Sequence, residues 1–404
     1  MSNLSPTALL LNAGHALDHL FLLIFATAVA AVAADWGMAW PDLMPYTVGA
    51  FAMFGLGSLP AGRLGDLWGR RAMMIVFFSG MGLSGLLIAL AQGAWHLAGA
   101  LTLMGCFASI YHPVGIPMLV QGASRPGFAI GVNGLAGNLG IAIAAILTGF
   151  LVKYFGWRVA FAVPALLALV LAALFVALVP REITAPARRP KTQAELPKSV
   201  MVRALLIMTL TSISSSLIFN FTTNGNGQFL AERLRGLIDD PATLGALLAA
   251  VYTVASFAQI VVGKLIDRFP LKRIYLPIAA AQVPLFLLAA HTEGWALYAL
   301  VLLFMIFVFG AIPFVDAMIV QYVDDRMRSR VAGIRLAVAF GMSSTAVYLL
   351  GPTVKAAGFA TLLVIMAAIA AVTTAFVSFL PGRPRPATAP REAATAQARP
   401  AEAT

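Results

Sequence analysis

Charged residues are scarce: Asp, Glu, Lys and Arg make up 11% of the 404 residues, where a soluble domain carries about 25%. A surface so poor in charge cannot be mostly wet. Cysteine is nearly absent as well. The single Cys106 lies in an apolar run without a partner, which excludes a disulfide framework and a thiolate metal site. The chain has no Walker phosphate loop, so ATP is not the driving force of anything it does. It also has no Gly-x-Ser-x-Gly or His-Glu-x-x-His, and so lacks the fixed nucleophile or second general base that a membrane-embedded hydrolase or acyltransferase would need. No enzyme is expected, and no cofactor.

Apolar sequence is plentiful. Hydrophobic residues reach 60%, mean hydropathy is +0.90, and long apolar runs follow one another almost end to end. Open strands cannot cross lipid, because their backbone groups would go unsatisfied, and the period-2 alternation of a membrane barrel is missing. The sequence therefore predicts an all-α membrane protein with twelve transmembrane helices at 7–34, 41–62, 71–92, 95–121, 127–153, 157–180, 201–230, 242–264, 272–290, 295–322, 329–354 and 358–380. The first run ends in Ala-Val-Ala-Ala, like a cleavage site, but is too long and lacks a preceding basic residue; it is expected to be retained. The stretch 181–200 is the long polar linker inside the chain. It separates a six-helix bundle at 1–180 from another at 201–380, and a disordered tail follows at 381–404.

The net charge of +11 does not point to nucleic acid, because the basic residues sit in short loops rather than along an amphipathic face. One set of loops holds Lys153, Arg158, Arg233, Arg235 and Lys355. Arg335 lies within a helix, and the other 21 of the 27 Lys and Arg fall on the opposite side with the linker and tail. The positive-inside rule makes that side cytoplasmic, with both termini. The halves also repeat. Gly62-Arg-Leu-Gly-Asp66 matches Gly263-Lys-Leu-Ile-Asp267 at an offset of 201, and Pro113…Gln121 matches Pro313…Gln321 at 200. Gly149…Lys153…Gly156 matches Gly351…Lys355…Gly358 at 202. Six helices were duplicated in parallel, which places a substrate path between the halves.

Ionisable residues within the apolar runs mark function, since a charge at the bilayer centre costs about 2.5–3.5 kcal/mol on insertion scales. His15, Asp18 and His19 share one face of the first helix: at about 100° per residue, His19 sits about 40° to one side of His15 and Asp18 about 60° to the other. Three polar side chains converging there read as a proton relay or a substrate contact. The spacing is also that of metal ligands, but the rest of the chain offers no evident complementary carboxylate cage, so no metal is expected. A helix-to-helix hydrogen bond is the plainer reading. In the fourth helix Tyr111-His112-Pro113 sits where packing would want apolar residues, and the proline frees a carbonyl one turn earlier. In the fifth, Asn133 and Asn138 lie in a glycine-rich stretch suited to close packing.

The second half offers Asn220, Asn224, Asn226 and Gln228 interleaved with Gly225 and Gly227, which predicts a helix that loosens around a ligand. Asp316 sits one turn past the position matching His112, and Arg335 matches Asn133 at an offset of 202. Arginine cannot shed its charge, so Arg335 needs Asp316, an anionic substrate, or a path outward to the interface.

The run Gly62-Arg-Leu-Gly-Asp66-Leu-Trp-Gly69-Arg70-Arg71 resembles the signature loop between helices two and three of the major facilitator superfamily, and Gly156-Trp-Arg158-Val-Ala-Phe161 resembles a second element of that family. The resemblance covers residues from about 10 to 380. It implies secondary transport by alternating access, with Asp66 latching the cytoplasmic side and Asp267 as the counterpart in a degraded second copy; Gly62 and Gly69 of the latch loop permit a tight turn and close helix approach, and Arg70 and Arg71 in it read mostly as setting topology. His15-x-x-Asp18, Tyr111-His112-Pro113 and Gly137-Asn138-Leu-Gly140 together resemble the fosmidomycin-resistance branch, which implies proton-driven drug efflux across a bacterial inner membrane; Val114 departs from the acidic residue common there. Proton coupling is then expected at Asp18, His15, His19 and Asp316. Substrate contacts are expected at Tyr111, His112, Asn133, Asn138, Asn220, Asn224 and Arg335. The expected partners are a small-molecule substrate, protons and the lipid bilayer, with the chain a monomer. Uptake of an organic anion through Arg335 and a non-transporting receptor are the alternatives.

Overall fold

The computed structural model describes residues 5–121, 126–180, 198–323 and 325–381. Most of the expected linker and the tail beyond Pro381 lie outside them. Regular structure among the described residues is entirely helical. Helix α1 spans Pro6–Trp36, opened by the Ser5 hydroxyl accepting from the Ala8 amide and closed at Gly37, whose φ is 63°. After the short turns Trp40–Leu43 and Met44–Thr47 come α2 (Val48–Trp68) and α3 (Arg70–Ala89). Helix α4 (Ala94–Ala108) passes through a π-helical turn at Tyr111–Gly115 into Ile116–Val120, and α5 (Pro126–Phe155) and α6 (Trp157–Leu178) complete the first half. The second half holds α7 (Lys198–Arg233), α8 (Pro241–Arg268), α9 (Leu271–Ala290), α10 (Gly294–Ala311, continued as Pro313–Tyr322) and α11 (Asp325–Ser378). Helix α11 is broken at Gly358, with φ 75° and ψ 171°.

Ten segments among the described residues are long and apolar enough to cross a membrane. The ten do not include α2, a 21-residue helix whose last turns hold Arg63 and Asp66. One of the ten, Ala337–Ser378, runs through the Gly358 break. The chain is thus a multi-spanning all-α membrane protein, and large apolar side chains such as Leu166, Val170 and Ile260 point outward, as lipid contact requires.

Two expectations need correction. The signature run is helical through Trp68, so the connection to α3 is Gly69 alone, at φ 90° and ψ 143°; a side chain there would be strained. Helix α7 does not loosen: it is continuous for 36 residues. Two of its amides bond back one turn instead, Asn220 Nδ2 to the Ser216 carbonyl at 2.9 Å and Asn224 Nδ2 to the Asn220 carbonyl at 3.1 Å. Amides that close onto their own helix leave it intact.

Within the first half α1 packs on α5 and α3 on α6; between the halves α5 packs on α8 and α2 on α11. Backbone approach is closest where glycine faces a carbonyl. A Cβ at Gly140 would collide with the Ala16 carbonyl of α1, so this stretch of α5 can press directly against the helix that bears His15 and Asp18.

Candidate functional site

Helices α1, α4 and α5 bring six of the expected residues together. Asp18 is completely buried, and neither of its carboxylate oxygens has a hydrogen-bond partner. The nearest basic atom is His112 Nε2, 3.7 Å from Asp18 Oδ2. His15, 6% exposed, bonds through Nδ1 to the Asn133 carbonyl at 2.7 Å and leaves Nε2 without a partner. Its ring stacks on Tyr111 at 4.8 Å and meets His19 and His112 edge-on at 4.8 and 5.1 Å. Unlike Asp18, the Tyr111 hydroxyl is fully engaged: it donates to the Leu11 carbonyl at 2.7 Å and accepts from Asn133 Nδ2 at 2.7 Å.

Position explains how the sequence builds this. Pro113 cannot donate to a carbonyl one turn back, and the helix answers with the π-helical turn over Tyr111–Gly115. Such turns recur at functional sites; here it carries Tyr111 and His112 onto the α1 face. Gly137 of α5 has room for no more than its hydrogen, since an added Cβ would lie 2.7 Å from the His15 ring. The other half closes the cluster: Phe340 of α11 contacts Phe54 at 4.3 Å, and both face the His112 ring, at 6.4 and 5.7 Å. The cluster therefore lies at the interface between halves. Asn138 is buried on α5, apart from the hydrogen-bonded group.

The expected residues of the second half do not join it. Asn220 bonds across to Ser343 Oγ of α11 at 2.8 Å, and Asn224 reaches only its own helix and Thr223. Asp316 forms an ion pair with Arg335. That pair is lopsided, with the carboxylate 70% exposed and the guanidinium 19% exposed, so Asp316 is not a buried proton carrier like Asp18. Arg335 has its counter-ion within the chain.

At the basic-rich end, Asp66 and Asp267 are exposed. Arg70 bonds to Gln121 Oε1 at 3.0 Å. Arg71 donates to the Val179 and Val176 carbonyls, both at 2.7 Å, capping the C-terminus of α6 where a cation is favoured. Trp157 Nε1 and Arg158 both donate to Asp35 Oδ2, at 3.1 and 2.8 Å, so the second signature element ties α6 to the end of α1.

Sequence reasoning missed three features. Asn12, whose Oδ1 accepts from Asn133 Nδ2 at 2.9 Å, lies one turn before His15, and the helical spacing was the available signal. Phe340 gave none. At the basic-poor end, Lys153 Nζ meets Asp240 at 2.7 Å and Lys355 Nζ meets Asp42 at 2.5 Å. Each pair joins one half to the other, and the two lysines are the repeat-related ones. Their helices touch there as well: a Cβ at Gly149 would lie 2.5 Å from the Pro241 carbonyl, and one at Gly351 would collide with that of Pro41. Lys153 and Thr243 hold the Asp240 carboxyl down at about 2.

Two repeated helical halves, meeting over a buried polar cluster and pinned at one end, define the architecture of a membrane carrier. The sequence pattern of the Major Facilitator Superfamily matches residues 11–238 and 216–403; the chain belongs to that superfamily, whose members are transporters and not enzymes. It is similar to the puromycin resistance protein pur8 of Streptomyces alboniger, 33% identical over 159 residues, covering 38% of this chain and 31% of that one. It is also similar to a multi-drug resistance efflux pump PmrA homolog of Lactococcus lactis, 28% identical over 243 residues, covering 55% and 59%. The chain spans between 25% and 59% of the length of the curated relatives it matches. The inward-open xylose transporter XylE of E. coli shares the fold, with a TM-score of 0.76 at 12% identity over 93% of this chain and 96% of that one.

Proposed function

We propose that this protein is a secondary active transporter that works by alternating access and exports a small amphiphilic molecule in exchange for protons, as the fosmidomycin-resistance resemblance implies. The observation that carries the reading is Asp18, a fully buried carboxylate without a hydrogen-bond donor, placed beside imidazoles where the two halves meet. A membrane protein keeps such a group only where it serves a path for ions or substrate. Relatives named for puromycin resistance and multidrug efflux support the substrate class and the direction. Arg335, paired with Asp316, gives little support to uptake of an organic anion.

In this reading α2 and the two parts of α11 complete twelve spans in two six-helix bundles, at 1–180 and 201–380, in a bacterial inner membrane. The basic-rich end, with both termini and the linker at 181–200, faces the cytoplasm, and Asp66 latches that end in the opposite conformation. The test is transport by purified protein in proteoliposomes under an imposed pH gradient, with puromycin and ethidium as first probes. Movement of either against its gradient, collapsed by a protonophore, supports exchange; movement that ignores the pH gradient refutes proton coupling. Orientation is read separately, on a Cys106→Ala background with single cysteines at Ser199 and Thr292. Labelling of Thr292 from the cytoplasm would invert the assignment.

A further inference from the structure

We propose that His15, His19, His112 and Asp18 form a binding site for a divalent transition-metal cation of the Zn2+ type. Three of the chain's five histidines gather here from two helices, and one ligand atom from each lies within 4.8 Å of the others. A four-coordinate zinc with bonds of about 2.0–2.1 Å needs its nitrogens about 3.4 Å apart. Small rotations of His19 and His112, the less buried members, bring the cluster to that size. The first-helix spacing alone offered no cage, and the third imidazole comes from the π-helical turn of α4.

Two further observations point to a cation. First, His15 is set as metal-bound histidines are: its Nδ1 is held by the Asn133 carbonyl at 2.7 Å, which fixes the tautomer and leaves the Nε2 lone pair free, and Nε2 has no partner. A ring nitrogen tied to a backbone carbonyl is the usual outer contact of a ligating histidine. Second, Asp18 supplies the carboxylate. Both its oxygens are buried without a donor, an expensive arrangement in hydrocarbon, and one lies 3.7 Å from His112 Nε2. A cation among the three neutral imidazoles satisfies the orphaned nitrogen, and Asp18, beside His112, can turn an orphaned oxygen toward it. The donor set of imidazole nitrogens with a carboxylate selects zinc, cobalt or nickel over magnesium and calcium, which prefer oxygen alone. The part-exposed edges of His19 and His112 give a way in from the interface between halves.

The site stands on these side chains; only its consequence rests on the transport reading, in which an occupied cluster withholds Asp18 from coupling. The experiment uses the full-length protein purified in detergent with Co2+ as the probe, followed by competition with Zn2+. The expected result is one Co2+ per chain with the intense visible bands of a four-coordinate site, displaced by Zn2+ and unaffected by a large excess of Mg2+. His15→Gln, His112→Gln and Asp18→Asn should each weaken binding by at least about tenfold, while His96→Gln and His291→Gln leave it unchanged. Retention of full affinity and unchanged bands in all three cluster variants would overturn the proposal, as would wild-type protein that binds no Co2+. Each variant is first checked for monodispersity and melting temperature; if one does not fold, the spectrum of His19→Gln takes its place, with the same expectation. Because binding needs no turnover, the outcomes separate. A protein that pumps but binds no metal overturns this proposal alone, and one that binds metal but moves nothing overturns the transport reading alone.

Discussion

The two halves are copies of one design, and their interiors have parted ways. The first half concentrates ionisable side chains in a single knot, with three histidines in mutual reach and Asp18 beside one of them, His112. The second fills the corresponding region with groups that hold no exchangeable charge at neutral pH: Asn220 on Ser343, Asn224 on its own helix, Thr222 and Thr223 bonded back to the Ile218 and Phe219 carbonyls. At the spacing of 202 that relates Asn133 to Arg335, Asp18 falls on Asn220, a carboxylate matched by its neutral isostere. The fixed charges of the second half, Asp316 and Arg335, cancel each other. The repeat supplied one scaffold, and one half gathered the ionisable groups while the other holds amides and hydroxyls bonded to one another and to their own helices.

Substitutions that erase this difference carry the largest effects. Asp18→Asn makes the first half resemble the second, and uphill, pH-driven transport should be abolished while counterflow of the same probe stays measurable. If the variant still concentrates substrate with the pH gradient, Asp18 is a packing residue. Asp316→Asn breaks the cancellation in the second half and leaves Arg335 without its counter-ion. Both driven transport and counterflow should fall, by roughly the tenfold per 1.4 kcal/mol that loss of a charged hydrogen bond implies; counterflow at the wild-type rate would show that the pair is dispensable.

A smaller effect is expected where the first half is merely well bonded. Tyr111→Phe deletes a hydroxyl with two partners, Leu11 and Asn133, and should cost about 1–3 kcal/mol of stability. It would be read as a lower melting temperature in detergent with transport retained, and an unchanged melting temperature would show that water replaces the bonds. The smallest concerns the pins at the basic-poor end. The Asp240 carboxyl is held at about 2 against an ordinary 3.8, so its link to Lys153 is fully present above the ordinary value and lost only as pH falls through about 2. A change of pH between 7 and 5 on that side should leave spin-label distances across that end unchanged, and Asp240→Asn should lengthen only a minor fraction of them. A full opening at pH 5 would mean that another group holds the end shut.

Much of this was readable beforehand where the signal is local. The repeat, the positions of most helices and the shared face of His15, Asp18 and His19 follow from apolar periodicity and helical geometry, which neighbours in the chain determine. His112 was singled out by its proline, although its approach to Asp18 needed the π-helical turn. What escaped was tertiary. Phe340 meets Phe54 from the other half, and Lys153 and Lys355 read in the sequence as markers of sidedness, while their partners Asp240 and Asp42 lie far off in the chain, at a helix N-cap and in the turn Trp40–Leu43. Amide content misled in α7, because composition does not say whether Asn220 bonds to a ligand or to the turn below it.

The pins have an outcome for the surroundings of the cell. Both face water, with side chains between 31% and 58% exposed, and charges so placed are screened within about 8 Å at physiological salt. If the basic-poor end faces outward, as proposed, salinity of the medium acts on the closed state directly, with no receptor between. Because the pins are images of each other across the repeat, added salt slackens both at once, and the protein responds as a balanced clasp rather than a hinge with one loose side.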